Sequence, residues 1–173
     1  MLIYNSKLLL LLGDPQLVNI RELLEYNKQV RYRYLQTLSK IPWEDLIKNR
    51  EVSFNSLRNV FIHTLKTMDH WLDFLLKEHN FKNKQYVEYE NIEAIYEYVT
   101  HIEQRMKKYL DSLSTSKLKL KYALINDLNE SVEVTVEDIL IHLFEEEVHH
   151  RGELIALFWQ MNIEPPLMGW KYL

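Results

Sequence analysis

The amino-acid sequence predicts an all-α fold, an antiparallel four-helix bundle, formed as a single domain by residues 1–173. Only three glycines and four prolines occur in the 173 residues, too few for the many turns of an all-β domain. Apolar side chains recur at helical spacing in four segments of about 20 residues each. No linker rich in proline, glycine or serine divides the chain. An antiparallel bundle lets four such amphipathic helices bury their apolar stripes against one another.

The first two predicted helices are separated by a proline. The apolar spacing predicts a helix over about residues 17–39, and this helix ends before Pro42 because the residue before a proline is biased away from helical angles. The second predicted helix begins near Ser53 or Asn55 and ends before Asn80, since its apolar spacing stops there.

The second half of the chain predicts two more helices with an extended excursion between them. The third helix covers about residues 91–113. The stretches "KLKLKYAL" and "SVEVTV" then alternate apolar and polar residues with period two, which favours a short pair of strands. The fourth helix begins at Thr135 and ends near Met161. Acidic residues two and three positions after Thr135 are typical of a helix N-terminus.

Composition and charge exclude several classes of function. The net charge of −4 gives no broad basic surface for a phosphate backbone, so nucleic acid is not an expected partner. The chain has no cysteine, which excludes disulfides, thiolate zinc sites and cysteine nucleophiles, and any metal must be held by His, Asp or Glu.

The start of the chain does not predict a membrane segment. The stretch "MLIYNSKLLLLLGDPQ" contains five consecutive leucines, whereas a membrane-spanning helix needs about 20 apolar residues. We expect this segment to pack on the core. A cytoplasmic protein without a membrane partner is the corresponding expectation for localisation.

The fourth helix carries an unusual density of ionisable side chains in "EEEVHHRGE". On a helical wheel His142, Glu146, His149 and Glu153 share the polar face, and His150 lies at its border with the apolar stripe. Glu146 and His150 are one turn apart. Their side chains could therefore converge on an ion held in a groove beside the core.

Two further charged residues, Glu147 and Arg151, fall inside the apolar stripe of this helix. A buried charge is unfavourable by several kcal/mol unless it is paired, and the i, i+4 spacing lets these two pair with each other. The alternative is that Glu147 orients a metal-bound histidine. The predicted buried stripe itself consists of Leu140, Leu143, Phe144, Val148, Leu154, Ile155, Phe158 and Trp159.

A metal site needs a third ligand from another part of the chain. The second helix offers His63 and His70, seven residues apart on nearly the same face, and either of them could face His150. A di-iron bundle is disfavoured because the Glu-x-x-His pairs in "EEVHH" overlap on one helix and no second copy exists. The His-Glu-x-x-His motif of zinc proteases is absent from the sequence.

The sequence resembles the DinB/YfiT-like metalloenzymes, which are distinct from the DNA polymerase of similar name. The resemblance covers about residues 20–166 and is carried by "SFNSLRNVFIHTLKTMDHWL" and "EDILIHLFEEEVHHRGELIALFWQMNIEPP". Its most specific features are His63 eight residues before Trp71 and the His-Arg-Gly sequence that follows His149. The resemblance implies an up-down-down-up four-helix bundle, often dimeric, that binds a divalent ion through three residues in a surface cleft.

Carried over by position, the resemblance implies His63 and His150 as metal ligands. The remaining family ligand is usually a histidine one turn earlier, and Glu146 occupies that position here. A set of two histidines and one carboxylate favours harder metals than three histidines do, and Zn, Ni, Fe and Mn are the candidates. Similar proteins include bacillithiol S-transferases and a mycothiol-dependent maleylpyruvate isomerase, in which a metal is thought to deprotonate a low-molecular-weight thiol.

The first functional hypothesis is therefore a divalent-metal-dependent enzyme, a thiol S-transferase or a hydrolase, that acts on a small molecule. Glu147 and Arg151 would support the ligand helix, and His142 or His149 would accept a proton at the cleft mouth. The alternative is a non-catalytic, stress-related dimeric bundle with weak metal binding or none. A homodimer is expected in either case, with exposed apolar side chains of "LFWQMNIEPPLMGW" contributing to the interface.

Overall fold

The computed structural model describes residues 19–126 and 128–169, and this part of the chain is predominantly helical. Its α-helices are α1 (Ile20–Leu38), α2 (Trp43–Ile47), α3 (Leu57–Leu76), α4 (Ile92–Asp111), α5 (Thr115–Leu118) and α6 (Val136–Gln160), and a short 3₁₀-helix covers Tyr86–Glu88. Two strands, β1 (Lys121–Ile125) and β2 (Ser131–Thr135), form an antiparallel hairpin between α5 and α6. The prediction of a helical fold with a short extended excursion is confirmed.

Polar side chains fix where the long helices begin. The side chains of Asn19, Ser56 and Asn91 each accept a hydrogen bond from a backbone N–H in the first turn of α1, α3 and α4. At α6, Thr135 and Asp138 satisfy each other's backbone N–H groups in a capping box. These caps satisfy donors that have no partner inside the helix, so the sequence itself sets the helix boundaries.

The four long helices share one apolar core. Helix α3 packs against both α4 and α6, and α1 packs against the same two helices. The largest fully buried side chains include Tyr34 of α1, Leu65 of α3, Ile102 of α4 and Phe158 of α6. The hairpin lies beside α3 and α6, with the Tyr122 ring edge-on to Phe74 at 4.9 Å between centroids. This packing brings the faces of α3 and α6 that carry the histidines together.

Two short α-helices and the 3₁₀-helix were not predicted from the sequence. Pro42 ends α1 as expected, but its φ of −53° also suits a helix start, and α2 follows directly with two acids in its first turn. Ser114 caps α5 by accepting a hydrogen bond from the N–H of Lys117. The strand expected from Lys117 onward therefore begins only at Lys121.

The buried stripe of α6 is narrower than predicted. Val148 is 43% exposed and Trp159 is 59% exposed, so their assignment to the buried stripe was wrong. Both residues lie at the edge of the predicted apolar arc, where the neighbouring helices no longer cover a side chain. Glu147 and Arg151, in contrast, are buried as predicted.

The ends of the chain are not part of the described structure. The N-terminal segment that was expected to pack on the core falls within residues 1–18, outside the described residues. Among the helices that are described, none combines the length and the apolar character that crossing a membrane requires.

Candidate functional site

A cluster of two histidines and one glutamate lies between α3 and α6. His63 of α3 and Glu146 and His150 of α6 each present a potential ligand atom, and these atoms lie within 4.8 Å of one another. The Glu146 Oε2 atom is 3.9 Å from His63 Nε2 and 3.4 Å from His150 Nε2. Donor atoms about 2.1 Å from a tetrahedral ion are about 3.4 Å apart. The donor set and its spacing therefore fit a divalent ion.

Glu153 and Ser53 hold the His150 ring in a defined orientation. His150 Nδ1 lies 3.0 Å from Glu153 Oε2, and the Ser53 hydroxyl donates to the same carboxylate at 2.9 Å. Because a carboxylate can only accept, we assign the proton to Nδ1, which leaves the Nε2 lone pair directed at Glu146. This is the arrangement that outer carboxylates impose on metal-bound histidines.

The contacts with His150 and Ser53 also change the pKa of the Glu153 carboxyl group. Burial alone would raise the pKa of its carboxyl group, but the hydrogen bonds from His150 and Ser53 outweigh burial and the pKa is lowered. The sequence prediction placed Glu153 on the polar face and gave it no role. Its spacing of three residues from His150 on one helix was the available signal, whereas the contact with Ser53 has no counterpart in local sequence.

An aromatic ring covers one side of the cluster. Phe54, in the loop before α3, stacks on His63 with 3.9 Å between ring centroids, and its edge contacts His150 at 5.4 Å. Burial, reinforced by the neighbouring His150, lowers the pKa of His63 and outweighs the nearby Glu146 carboxylate. His63 is consequently neutral at physiological pH, which is the form of imidazole that binds metals.

The other candidate histidines occupy different positions. The sequence left His63 and His70 as alternatives, and it is His63 whose ring faces His150, at 4.7 Å between centroids. His70 packs instead against Trp71 and Phe81. The remaining two candidates are on α6.

Of those two, His149 is the closer to the cluster. It is exposed, and its ring lies 4.8 Å from the His150 ring. His149, His150 and Glu153 form a second group whose potential ligand atoms converge. His142 lies one turn before Glu146 and packs edge-on against Trp71, at 5.9 Å between centroids.

The predicted pairing of Glu147 with Arg151 is wrong. Glu147 instead accepts a hydrogen bond from Arg31 of α1. Arg151 donates to the Asn27 side chain at 2.6 Å and lies over the Tyr26 ring at 5.4 Å. A helical wheel shows only neighbours on the same helix, and here both charges point into α1, where better partners are available. Glu147 therefore contacts Arg31, whereas Glu153 is the carboxylate that contacts the His150 ring.

Arg31 joins three helices through ion pairs. Its guanidinium donates to Glu103 of α4 as well as to Glu147 of α6. Although burial opposes the charged form, the two carboxylates outweigh burial and raise the pKa of Arg31. Burial raises the pKa of Glu103 despite the Arg31 charge. This ion cluster fixes α6 at the residue next to Glu146, and so contributes to the position of the metal-binding candidates.

A comparison with protein-family profiles matches the DinB family over residues 13–171. The chain belongs to the DinB family. The match includes every residue of the His63, Glu146 and His150 cluster and agrees with the resemblance seen in the sequence motifs. A search of the curated proteins found no match. Family membership and a His/Glu cluster suited to a metal ion are thus the two findings from which a function can be proposed.

Proposed function

We propose that this DinB-family protein binds one divalent metal ion through His63, Glu146 and His150. The observation that carries the proposal is the convergence of their ligand atoms from two helices, with His150 already oriented by Glu153. Three protein ligands leave a coordination position for water or substrate, as catalytic metal sites require. The single carboxylate favours a harder ion than three histidines do, and Zn, Ni, Fe and Mn remain the candidates.

We further propose that the protein is a transferase that uses a low-molecular-weight thiol, as the resemblance to thiol S-transferases implies. A bound divalent ion favours the deprotonated form of a coordinated thiol near neutral pH. In the overall reaction the S–H proton goes to a base and the sulfur forms a bond to an electrophilic carbon. The bond from that carbon to the leaving group breaks, and the leaving group departs with the electron pair and takes up the proton.

The residues of this chain supply the base. His149 is exposed beside His150 and can accept the thiol proton and return it to the leaving group. His142, one turn before Glu146, is the second candidate for this proton transfer. Glu153 and Ser53 keep the His150 ring in place, and Phe54 shields the cluster from water on one side.

We infer that the fold is one domain, a four-helix bundle of up-down-down-up order made by α1, α3, α4 and α6, and that two copies form a dimer. Trp159 and Leu167 are 59% and 65% exposed near the end of α6 and would supply an apolar interface. Sedimentation analysis of wild-type protein and of Trp159→Lys measures the oligomeric state of each. The dimer is expected for the wild type and the monomer for the variant.

The metal proposal is tested by measuring bound metal in protein purified without an affinity tag. We expect stoichiometric divalent metal in wild-type protein and little in His63→Ala. The matched control is His70→Ala, which removes a histidine from the same helix outside the cluster and should retain the metal. Metal-free wild-type protein, with unchanged folding in both variants, would favour the alternative of a non-catalytic dimeric bundle.

Loss of the Glu153 carboxylate should weaken metal binding without abolishing it. In Glu153→Ala the His150 ring loses the acceptor that fixes its orientation, and such outer contacts typically change metal affinity about 10–100-fold. Calorimetric titration of the metal-free protein with Zn²⁺ measures the change. Glu145→Ala, an exposed residue of the same helix, should bind the ion as the wild type does. Equal affinities in both variants would remove Glu153 from the site.

A further inference from the structure

A cavity of about 310 Å³ lies between the hairpin, α3 and α6. It is lined by side chains of the strands, with Leu124 of β1 directly opposite Val132 of β2, and by Trp71 and Ile139 of the two helices. Its volume is near the lower end of the range of small-molecule sites, about 300–1,000 Å³. The cavity can therefore take a compact group.

The lining of this cavity is mostly apolar, with Asn126, Asp138 and His142 as its polar residues. Asp138 is the one residue with a formal negative charge in the lining, and its carboxylate already accepts hydrogen bonds from the backbone N–H and the hydroxyl of Thr135, at 2.8 and 2.6 Å. Two larger cavities, of about 570 and 520 Å³, are each lined by several charged side chains. Burying a charge beside Leu124 and the two valines of the hairpin would be unfavourable, so the ligand that fits best is uncharged.

The cavity and the metal-binding candidates both lie along α3 and α6. His142 lines the cavity and precedes Glu146 by one turn of α6, a rise of about 6 Å. Trp71 lines the same cavity and follows His63 by eight residues of α3, about 12 Å. These distances are within the length of an ordinary metabolite. A molecule whose apolar end occupies the cavity could therefore place its other end at the cluster.

We infer that this cavity is the subsite for the apolar part of the electrophilic substrate. The substrate class is a small molecule in which an uncharged phenyl ring or branched alkyl group is attached to the electrophilic carbon. The hairpin supplies specificity through Leu124, Val132 and Val134, and Trp71 and His142, which pack edge-on, line the helix side of the cavity. This inference rests on the proposed function for the reaction but concerns a separate binding surface.

The test uses full-length protein freed of metal with a chelator and a fluorine NMR titration with 4-fluorobenzyl alcohol. Saturable binding is expected for the wild type, and binding at least ten times weaker for Val132→Trp, whose indole fills the cavity. Glu133→Trp is the matched control, because Glu133 is the next residue of the same strand and is exposed on the opposite face. The charged analogue 4-fluorobenzoate should bind more weakly than the alcohol.

The outcomes separate this inference from the proposed function. The inference is overturned if the wild type shows no saturable binding or if Val132→Trp binds the alcohol as the wild type does. If Val132→Trp fails to fold, Leu124→Phe replaces it, because its larger side chain fills part of the same cavity. Weaker alcohol binding by Leu124→Phe is then the expected result, and wild-type binding overturns the inference. Alcohol binding by protein that takes up no stoichiometric metal would reject the metal proposal and retain the subsite, and the reverse pattern would reject the subsite alone.

Discussion

Replacing Arg31 with methionine is expected to reduce the free energy of unfolding by about 3–5 kcal/mol. Methionine replaces the apolar stem of Arg31 and ends where the guanidinium group begins, so the charged group and its hydrogen bonds are lost. Glu147 is 7% exposed and loses its ion-pair partner, and Glu103 of α4 loses the same guanidinium. A carboxylate that remains buried without a partner accounts for most of the expected loss. Urea denaturation followed by circular dichroism measures it.

The matched control for this prediction is Lys28→Met, one turn earlier on the same helix. Lys28 pairs with Glu25 on the surface, and an exposed pair of this kind contributes at most about 1 kcal/mol. Adding Glu103→Leu and Glu147→Leu to the Arg31 variant should restore most of the lost stability, because no buried charge then lacks a partner. If Arg31→Met were no less stable than Lys28→Met, the ion cluster would have no structural role.

The Arg31 variant should also change how stability depends on pH. Burial already raises the pKa of Glu103 in the folded protein, and the Arg31 charge opposes that rise. Without Arg31 the pKa of Glu103 rises further, so the folded state binds a proton at a pH where the unfolded state does not. The free energy of unfolding of the variant is then greatest at a pH below the pKa of Glu103 in the unfolded chain. It falls as the pH rises through the pKa of Glu103 in the folded variant. The deficit relative to wild type should therefore be larger at pH 7 than at pH 5.

Replacing His150 with alanine is expected to weaken metal binding by more than about 100-fold. This exceeds the effect of removing a residue that only contacts a metal ligand, which is about 10–100-fold. His150 is the most buried member of the cluster, at 6% exposed, and it connects Glu146 on one side of its ring with Glu153 on the other. The variant loses a proposed ligand and also the group that holds the two carboxylates apart. Calorimetric titration of metal-free protein with Zn²⁺ measures the loss.

The neighbouring His149→Ala is the control, and it also distinguishes the two groups of convergent ligand atoms. His149 and His63 each share His150 as a neighbour but belong to different groups. Retained metal in His149→Ala, with loss in His63→Ala, is the expected pattern. The opposite pattern would assign the ion to His149, His150 and Glu153, and the proposed ligand set would be wrong.

The parts of the structure that depend on local sequence could be predicted. Apolar spacing of 3.6 residues gives the long helices, and the cap at Thr135 fixes the start of α6 to the residue, because both effects act within a few positions of the chain. The hairpin follows from strict alternation in "SVEVT". His63, Glu146 and His150 were selected by helical spacing and by resemblance to a known family, and the structure brings their side chains together.

The parts that depend on contacts between distant segments could not be predicted. The wheel for α6 identified Glu147 and Arg151 as buried but could offer only each other or a metal-bound histidine as partners. Their partners in the structure, Arg31 and Asn27 of α1, are more than 110 residues away in sequence. The Ser53 hydroxyl that supports Glu153 is 100 residues away from it. The spacing of apolar residues indicates which face of a helix is buried. It does not indicate which residues of other helices contact that face.

The cluster draws its donors from positions 83 residues apart in the sequence, with His63 on one helix and Glu146 on another. An unfolded chain cannot hold these atoms together, so an ion that binds them binds the folded state alone. By mass action, a free ion concentration 100 times the dissociation constant adds about 2.7 kcal/mol to stability. If the proposed ligand set binds a divalent ion, the melting temperature should rise with the concentration of that ion. Thermal shift across a panel of divalent metals then identifies which ion is bound.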